Sequence, residues 1–400
     1  MLNGPFSPWP SFTYEEAEVV QRVLLSNKVN YWTGTEGREF EREFAAFAQT
    51  RYAVAVANGT TALDLALKSL GIGQGEGQAC DEVIVTSRTF LASASSIVTA
   101  GAVPVFADVD RDSQNITAET VAEKITPRTR AIIAVHLAGW PCEMNDLMAL
   151  AEQHGLYVIE DCAQAHGATY AGKSVGSIGH VGCWSFCQDK IMTTGGEGGM
   201  VTTDDEVLWR RMWAYKDHGK SWEAVYEREH PPGFRWLHES FGTNWRMTEM
   251  QAAIGRIQLA RMPEWKAARQ VNAQRIWQTA SECQGLRVPA IPEHVEHAAY
   301  KCYAFVEPER LADGWDRDSI QQEIVARGVP CFSGSCSEVY REKAFDGTEW
   351  RPKKPLPVAR ELGEASLMFL CHPTLTEAEI DKTCDVVREV MNEATGHNAR

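Results

Sequence analysis

The sequence predicts an α/β fold: a three-layer sandwich with a large, mostly parallel sheet, followed by a smaller C-terminal α+β domain. From residue 52 onward, short apolar runs alternate with helical patterns, which is typical of parallel strands covered on both faces. The chain has 400 residues, more than one core usually supports. The sequence pattern also changes near Gly285. We therefore predict a large domain over residues 1–260, including an N-terminal segment, and a small domain over residues 261–400.

The elements of the large domain follow from hydrophobic spacing. Residues 14–25 have helical spacing, and residues 40–48 repeat phenylalanine along one helical face, so both predict helices that precede the alternating region. The apolar runs then predict strands at residues 53–56, 83–85, 103–106, 131–135, 157–159, 183–186 and 200–202. Helical spacing predicts helices at residues 60–70, 91–100, 118–124, 145–154 and 207–215.

The last part of the chain begins with a long helical pattern. Thr248 is a suitable N-cap, and Pro263 is expected to interrupt the helix before it continues toward Trp277. The segment from Asp217 to Gly242 has no clear periodicity, which is typical of functional or mobile loops. The small domain is predicted to contain strands at residues 303–306, 329–332 and 367–370 and helices at residues 319–326 and 377–391.

Composition excludes several classes of partner and site. The formal charge of −15 disfavours binding to nucleic acid or to an anionic membrane, because both require a basic surface. The eleven cysteines are scattered without Cys-x-x-Cys spacing, which favours reduced thiols over a zinc site or a disulfide framework. Residues 1–10 lack a signal-peptide pattern, and no apolar run reaches 18 residues. We expect a cytoplasmic protein.

Ligands of such sheets gather at the carboxyl ends of the strands, where this sequence places several suitable residues. Gly59 and Thr60 open a helix directly after the first strand, and a helix N-terminus can hold a phosphate. Phe90 follows the second strand and could either stack on a ligand or join the core. Asp161 and its neighbour Glu160 end the fifth strand, where buried carboxylates need a partner.

Lys190 follows the strand predicted at residues 183–186 and precedes the glycine-rich segment 195–199. A lysine between two strands and beside such a turn is partly desolvated, and its amine can attack carbonyl groups. Taken alone, the pattern also fits a surface lysine in a β-turn.

Together these residues suit pyridoxal phosphate. Lys190 would form the Schiff base, Asp161 would keep the pyridine nitrogen protonated, and Phe90 would stack on the ring, while the helix N-terminus and the Ser185 hydroxyl would hold the phosphate. No metal site is predicted, because Asp161 and His166 have no second cluster of ligands beside them.

Motifs along nearly the whole chain point to one family. They are Phe40-Glu41-x-Glu43-Phe44, Asn58-Gly59-Thr60-Thr61-Ala62-Leu63, Gly101-Ala102-x-Pro104-Val105-Phe106, Glu160-Asp161-Cys162-Ala163-Gln164-Ala165-His166-Gly167, the Lys190 segment through Gly199, and Asn244-x-Arg246-Met247-x-Glu249-x-Gln251-Ala252-Ala253. On these motifs the chain resembles the DegT/DnrJ/StrS family of pyridoxal phosphate-dependent sugar aminotransferases. The resemblance implies the aspartate aminotransferase-like fold, fold type I.

The resemblance also implies roles around the cofactor ring. Lys190 would be the Schiff-base lysine and Asp161 the partner of the pyridine nitrogen. Gln164 would approach the phenolic oxygen, and Phe90 would stack on the ring.

The phosphate would be held from two subunits. By resemblance, Gly59, Thr60 and Ser185 would bind it from the same chain, and Asn244 would reach it from the partner subunit. The chain is therefore expected to form a homodimer with shared active sites.

The family's usual reaction moves an amino group from L-glutamate to a keto group of a nucleotide-linked keto-deoxysugar, in deoxyamino-sugar biosynthesis for surface polysaccharides or natural products. Relatives with histidine at the position of Lys190 catalyse deoxygenation instead, so the lysine favours transamination. A free keto-cyclitol as acceptor, or a regulator that binds the cofactor without transferring an amino group, are alternatives. A nicotinamide oxidoreductase is disfavoured because no Gly-x-Gly-x-x-Gly turn follows the first strand. Asp189 and the segment 330–336 depart from the family pattern, and they leave the substrate open.

Overall fold

The computed structural model describes residues 5–73, 80–229 and 236–396. Its strands are β1 Tyr52–Val56, β2 Glu82–Thr86, β3 Val103–Ala107, β4 Thr129–Val135, β5 Tyr157–Asp161, β6 Thr169–Tyr170, β7 Lys173–Ser174, β8 Val181–Ser185, β9 Gly199–Thr203, β10 Leu286–Arg287, β11 Val295–Glu296, β12 Cys302–Val306, β13 Cys331–Phe332 and β14 Ser366–Phe369. Its α-helices are α1 Tyr14–Leu25, α2 Glu36–Phe47, α3 Gly59–Ser69, α4 Ala92–Thr99, α5 Ala118–Ala122, α6 Met144–His154, α7 Glu206–Tyr215, α8 Trp222–Tyr226, α9 Glu249–Glu282, α10 Arg317–Ala326, α11 Pro357–Ala365 and α12 Glu377–Ala394.

The largest sheet has seven strands in the order β1-β9-β8-β5-β4-β2-β3. The pairs β2–β3, β2–β4, β4–β5 and β5–β8 are parallel, whereas β9 is antiparallel to both β1 and β8. The prediction of a large, mostly parallel sheet is thus confirmed. Because β1 and β8 both oppose β9, they run in the same direction. The carboxyl ends of β1, β2, β5 and β8 therefore meet at one edge.

The two faces of this sheet are buried in two different cores. Along β1, Val54 and Val56 belong to one apolar cluster, which also contains residues of α3, α4 and α7. Ala53 and Ala55 belong to another cluster, with residues of α2 and α9. The alternation follows from the two-residue period of a strand. Helices thus cover both faces, as the three-layer prediction requires.

A second sheet, in the order β10-β12-β14-β13, is antiparallel and has its own apolar cluster with residues of α10 and α12.

The predicted interruption at Pro263 is wrong, because α9 runs unbroken through this residue. A proline inside a helix removes one hydrogen bond and costs about 3 kcal/mol. Packing of α9 against α1, α2 and α12 offsets this cost. The predicted boundary between residues 260 and 261 falls within α9, and the division into domains stays a prediction.

Several smaller features were not predicted, among them the helix α11 and the strand β10. The strands β11, β6 and β7 form a three-stranded sheet, but each has only two residues and therefore shows no periodicity. The aperiodic segment from Asp217 to Gly242 contains the short helix α8, and residues 230–235 of that segment lie outside the described residues. None of the described helices combines the length and apolar character needed to cross a bilayer.

Candidate active site

A cavity of about 720 Å³ opens at the edge where the carboxyl ends of β1, β2, β5 and β8 meet. Of the candidate residues named from the sequence, all but Asn244 line it. They are Gly59, Thr60, Phe90, Asp161, Gln164, Ser185 and Lys190. Parallel strand direction thus brings together residues that are far apart in the chain.

The N-terminus of α3 forms one wall of the cavity. Asn58 caps this helix, and its side-chain Oδ1 accepts a hydrogen bond from the Thr61 N–H at 2.9 Å. The N–H groups of Gly59 and Thr60 open the helix, where no preceding turn supplies a carbonyl. Gly59 lies so close to Ser185 that a Cβ on Gly59 would be 2.6 Å from the Ser185 Cβ. The first turn and the serine hydroxyl therefore form a narrow set of donors for an anion.

The glycine-rich segment 195–199, which follows Lys190, packs against this wall of the cavity. Gly195 and Gly196 have positive φ angles of 89° and 122°. A Cβ on Gly199 would be 2.3 Å from the Asn58 carbonyl oxygen. Glycine is required at these positions because the chain turns tightly and approaches the backbone of the α3 cap.

Asp161 lies at the base of the cavity and is 5% exposed. The Ser93 Oγ donates to its Oδ2 at 2.8 Å, and the Ala163 N–H donates to its Oδ1 at 3.1 Å. Thr89 Oγ1 lies 2.9 Å from the Ser93 Oγ and extends the chain of hydroxyl groups. These bonds fix the orientation of the carboxylate.

Gln164 and Phe90 are arranged differently. Gln164 is buried, and its Oε1 accepts a hydrogen bond from the Ala138 N–H at 2.9 Å. Its amide nitrogen is therefore the group that can donate to a ligand. Phe90 is 71% exposed, which is unusual for a phenylalanine with a core role. Phe90 is thus not part of the core, and its predicted stacking on a ligand stays a prediction.

Lys190 is held by its backbone while its side chain reaches the cavity. The Trp9 indole N–H donates to the Lys190 carbonyl oxygen at 2.8 Å, and the Lys190 Nζ lies 5.5 Å from the centroid of the Tyr300 ring. The neighbouring Asp189 accepts a hydrogen bond from the Tyr300 hydroxyl at 2.6 Å. Burial opposes ionisation of Asp189, but the Lys190 charge and the Tyr300 hydroxyl outweigh it and hold its pKa below the ordinary value.

Asn244 does not line the cavity of its own chain. It pairs with Asp217 in an isolated antiparallel bridge. Asp217 is fully buried, forms an ion pair with Arg246 and accepts a hydrogen bond from the Trp32 indole N–H at 2.6 Å. Asn244 is thus fixed in place, while its predicted contact with a partner subunit stays a prediction.

Glu160 has its own set of partners within the sheet. Its Oε2 lies 2.9 Å from His136 Nε2 and accepts from the Gly176 N–H, while its Oε1 accepts from the N–H groups of Ile178 and Gly179. In the described part of the chain, His136, Glu160 and Cys162 are the residues close enough together to hold a metal ion. The hydrogen bonds already occupy both oxygens of Glu160. The cluster is therefore a structural network.

Sequence reasoning missed several residues that line the cavity. Ser93 follows Phe90 by one helical turn, and this spacing could have indicated it. Tyr300 and Lys301 come from a segment more than 100 residues after Lys190, so no local pattern connects them with it. Gly334 and Ser335 also line the cavity, and they belong to the segment that departs from the family pattern.

Comparisons with known proteins agree with the resemblance. A sequence model of the DegT/DnrJ/EryC1/StrS aminotransferase family matches residues 10–388. A solved aminotransferase structure from Psychrobacter cryohalolentis is 62% identical, with a TM-score of 0.95, over 98% of this chain and 100% of that one. The dTDP-3-amino-3,4,6-trideoxy-alpha-D-glucose transaminase of Streptomyces venezuelae is 35% identical, over 94% of this chain and 92% of its own. GDP-perosamine synthase of Caulobacter vibrioides is 37% identical, over 90% and 92%.

Proposed function

This chain belongs to the DegT/DnrJ/EryC1/StrS aminotransferase family, and from this premise we propose its cofactor and substrates. We propose that it uses pyridoxal phosphate to move an amino group from L-glutamate to a keto group of a nucleotide-linked keto-deoxysugar. The sugar follows from the relatives, which are named for dTDP- and GDP-linked amino sugars. The observation that carries the proposal is the cavity in which Lys190, Asp161 and the N-terminus of α3 face a common space.

The residues of the cavity fit pyridoxal phosphate. The narrow cradle between Gly59 and Ser185 offers N–H and hydroxyl donors to a phosphate. Asp161 is oriented by two hydrogen bonds and offers a charged acceptor to a protonated ring nitrogen. The Gln164 amide and the exposed Phe90 ring offer a donor and a stacking surface.

When bound, the cofactor supplies an electron sink that accepts the electron pair left when a proton departs from carbon. Lys190 Nζ is the group that takes this proton from the donor carbon and later delivers a proton to the acceptor carbon. Asp161 stabilises positive charge at the ring nitrogen throughout. In the proposed homodimer, Asn244 reaches the phosphate of the partner's site. The amino group crosses in two half-reactions, so we expect ping-pong kinetics.

The first test is Lys190→Ala in the full chain. We expect the variant to lose both the absorbance of the lysine-bound cofactor and all amino transfer from L-glutamate. Lys173→Ala, at an exposed lysine of β7, is the matched control and should keep both. Full activity of Lys190→Ala would contradict the proposal.

A panel of keto-sugar nucleotides identifies the acceptor. The panel is assayed with L-glutamate and with L-glutamine as donors, because both carry an α-amino group. Transfer to a free keto-cyclitol but to no nucleotide sugar would replace the proposed acceptor.

A further inference from the structure

A second, smaller space of about 330 Å³ adjoins the cavity of Lys190. We call it the side recess. The two spaces share Asp189, Tyr300 and Lys301 as lining residues. Trp9 and Phe332 are among the apolar walls of the recess. The recess therefore adjoins the active site at these three residues.

Two cations line the side recess. Arg269 is 1% exposed, and its Cζ lies 4.8 Å from the centroid of the Trp9 ring. Its Nη1 donates to the Tyr300 carbonyl oxygen at 3.5 Å, while its Nε and Nη2 have no hydrogen-bond partner among the described residues. The Lys301 Nζ lies 4.8 Å from the Tyr300 ring centroid. Lys301 also lines the main cavity and can reach a ligand there.

The anions nearby do not balance these charges. Asp189 is the lining carboxylate of the recess; it accepts a hydrogen bond from the Tyr300 hydroxyl, and its single charge is shared between Lys190 and Lys301. Among the described residues, no carboxylate forms an ion pair with Arg269, and the carboxylate whose charge acts on Lys301 is Asp189 itself. Burial raises the pKa of the Cys371 thiol to about 11, so this neighbour is neutral. Burial lowers the pKa of His372 to about 3, so it adds no charge.

Cations in excess of the anions of a buried recess are costly, and an anion that enters between them recovers this energy. Burial also lowers the pKa of Lys301 and the pKa of Arg269, the latter to about 10. Both shifts indicate that solvent does not replace the missing counter-charge.

We propose that Lys301, supported by the buried charge of Arg269, binds a carboxylate of a substrate beside Lys190. This inference rests on the proposed function and specifies the substrate chemistry of the same site. Lys301 contacts the carboxylate directly. Arg269 is a positioning residue: it binds the Tyr300 carbonyl oxygen, and its positive charge attracts the carboxylate without contacting it.

The carboxylate can come from either substrate of the reaction. L-Glutamate carries two carboxylates, and an acceptor sugar can carry one in place of a hydroxymethyl group. The apolar walls formed by Trp9 and Phe332 would cover the carbon atoms next to the charge. Both sources require the same contact with Lys301, and they are separated by measuring the two half-reactions independently.

The donor arm uses the holoenzyme of wild type, Lys301→Met and Lys301→Arg. Calorimetric titration with glutarate, a dicarboxylate without an amino group, measures binding without turnover, and rapid mixing with L-glutamate gives the apparent Kd of the donor half-reaction. If the donor supplies the carboxylate, Lys301→Met weakens both ligands by about tenfold or more, as expected for a lost charged hydrogen bond. Lys301→Arg keeps the charge and stays close to wild type.

The acceptor arm uses a pair of keto-sugar nucleotides that differ only in carboxylate or hydroxymethyl at one sugar carbon. If the acceptor supplies the carboxylate, wild type prefers the charged sugar, and Lys301→Met loses this preference while Lys301→Arg keeps it. Arg269→Lys keeps the buried charge and should retain the preference, whereas Arg269→Met should reduce it.

Thermal unfolding of each apoprotein, with Lys173→Met as an exposed control, shows that the variants fold. An effect of Lys301→Met confined to one arm supports the proposal and names the source. Equal losses with charged and neutral ligands, or no change with any carboxylate ligand, overturn it. If wild type transfers no amino group to any acceptor, the proposed function fails. The glutarate titration then decides the present inference alone, and equal affinity of wild type and Lys301→Met rejects it.

Discussion

Replacing Gly59 by alanine tests whether the N-terminus of α3 holds the cofactor phosphate. Gly59 is the first residue of this helix, and an added Cβ would lie 2.6 Å from the Ser185 Cβ and 2.9 Å from its Oγ. Carbon atoms in contact are normally about 3.5–4.0 Å apart. Either the first turn of α3 or the side chain of Ser185 must therefore shift by about 1 Å. Both belong to the proposed phosphate cradle.

The size of the effect follows from this displacement. Forcing an extra methyl group into a packed site typically costs the folded chain about 1–3 kcal/mol. In addition, hydrogen bonds to a charged group contribute about 1.5–3 kcal/mol each. Losing the alignment of one such donor weakens cofactor binding by about 10- to 100-fold. Gly59→Ala should thus weaken cofactor binding by about 10- to 100-fold in addition to lowering the stability of the fold.

The assay is titration of the apoprotein with pyridoxal phosphate, followed by the absorbance of the bound cofactor. Thr61→Ala is the matched control in the same helical turn. Asn58 is the N-cap, and the Thr61 hydroxyl completes its capping box by accepting from the Asn58 N–H at 3.2 Å. Removing this hydroxyl costs about 1 kcal/mol without adding an atom to the cradle. Equal cofactor affinities for Gly59→Ala and wild type would refute the cradle. Equal weakening in both variants would mean that helix stability, and not the added methyl group, controls binding.

Two further predictions concern buried charges. The Lys216 Nζ lies 2.7 Å from the Glu41 Oε1, and both side chains are buried. Lys216→Met leaves Glu41 without this partner, so it should lower the free energy of unfolding by about 3 kcal/mol in urea denaturation. A loss no larger than that of the exposed control Lys173→Met would contradict this prediction. The second concerns Glu160: burial opposes its ionisation, but hydrogen bonds from His136 and from Gly176 and Gly179 hold its pKa below the ordinary value. The stabilisation by ionised Glu160 is therefore present above the pKa of Glu160 in the unfolded chain and is lost as pH falls through its pKa in the folded chain. Between about pH 5 and 3, the wild-type apoprotein should lose stability more steeply than Glu160→Gln. Parallel pH profiles of the two proteins would contradict this prediction.

The site residues that could be predicted from the sequence are those that follow the ends of strands. Gly59, Phe90, Asp161 and Lys190 each follow a recognisable apolar run. The parallel order of the sheet then brings these ends to one edge. Local pattern and a general rule of α/β sheets were therefore sufficient for them. Most of the helices and longer strands were predictable for the same reason, because each carries its own periodicity, but the helix α11 was not predicted.

Residues that depend on contacts between distant segments were not predictable in this way. Trp9 donates to the Lys190 carbonyl oxygen across 181 positions, and Tyr300 donates to Asp189 across 111. Neither segment has a pattern that reports its partner. The same limit explains Pro263, whose local chemistry predicts a break in the helix.

The helix continues through Pro263 because α9 packs along its length against α1, α2 and α12, none of which is its neighbour in the chain. This packing has a consequence for the site. Arg269 lies on α9, six residues after Pro263, and its position against the Trp9 ring depends on an unbroken helix. A break at Pro263 would turn the second half of α9 and remove the buried charge from the side recess. The contacts of α9 with α1, α2 and α12 therefore keep the helix continuous at Pro263 and also place Arg269 beside the active site. No local sequence motif predicts this position of Arg269.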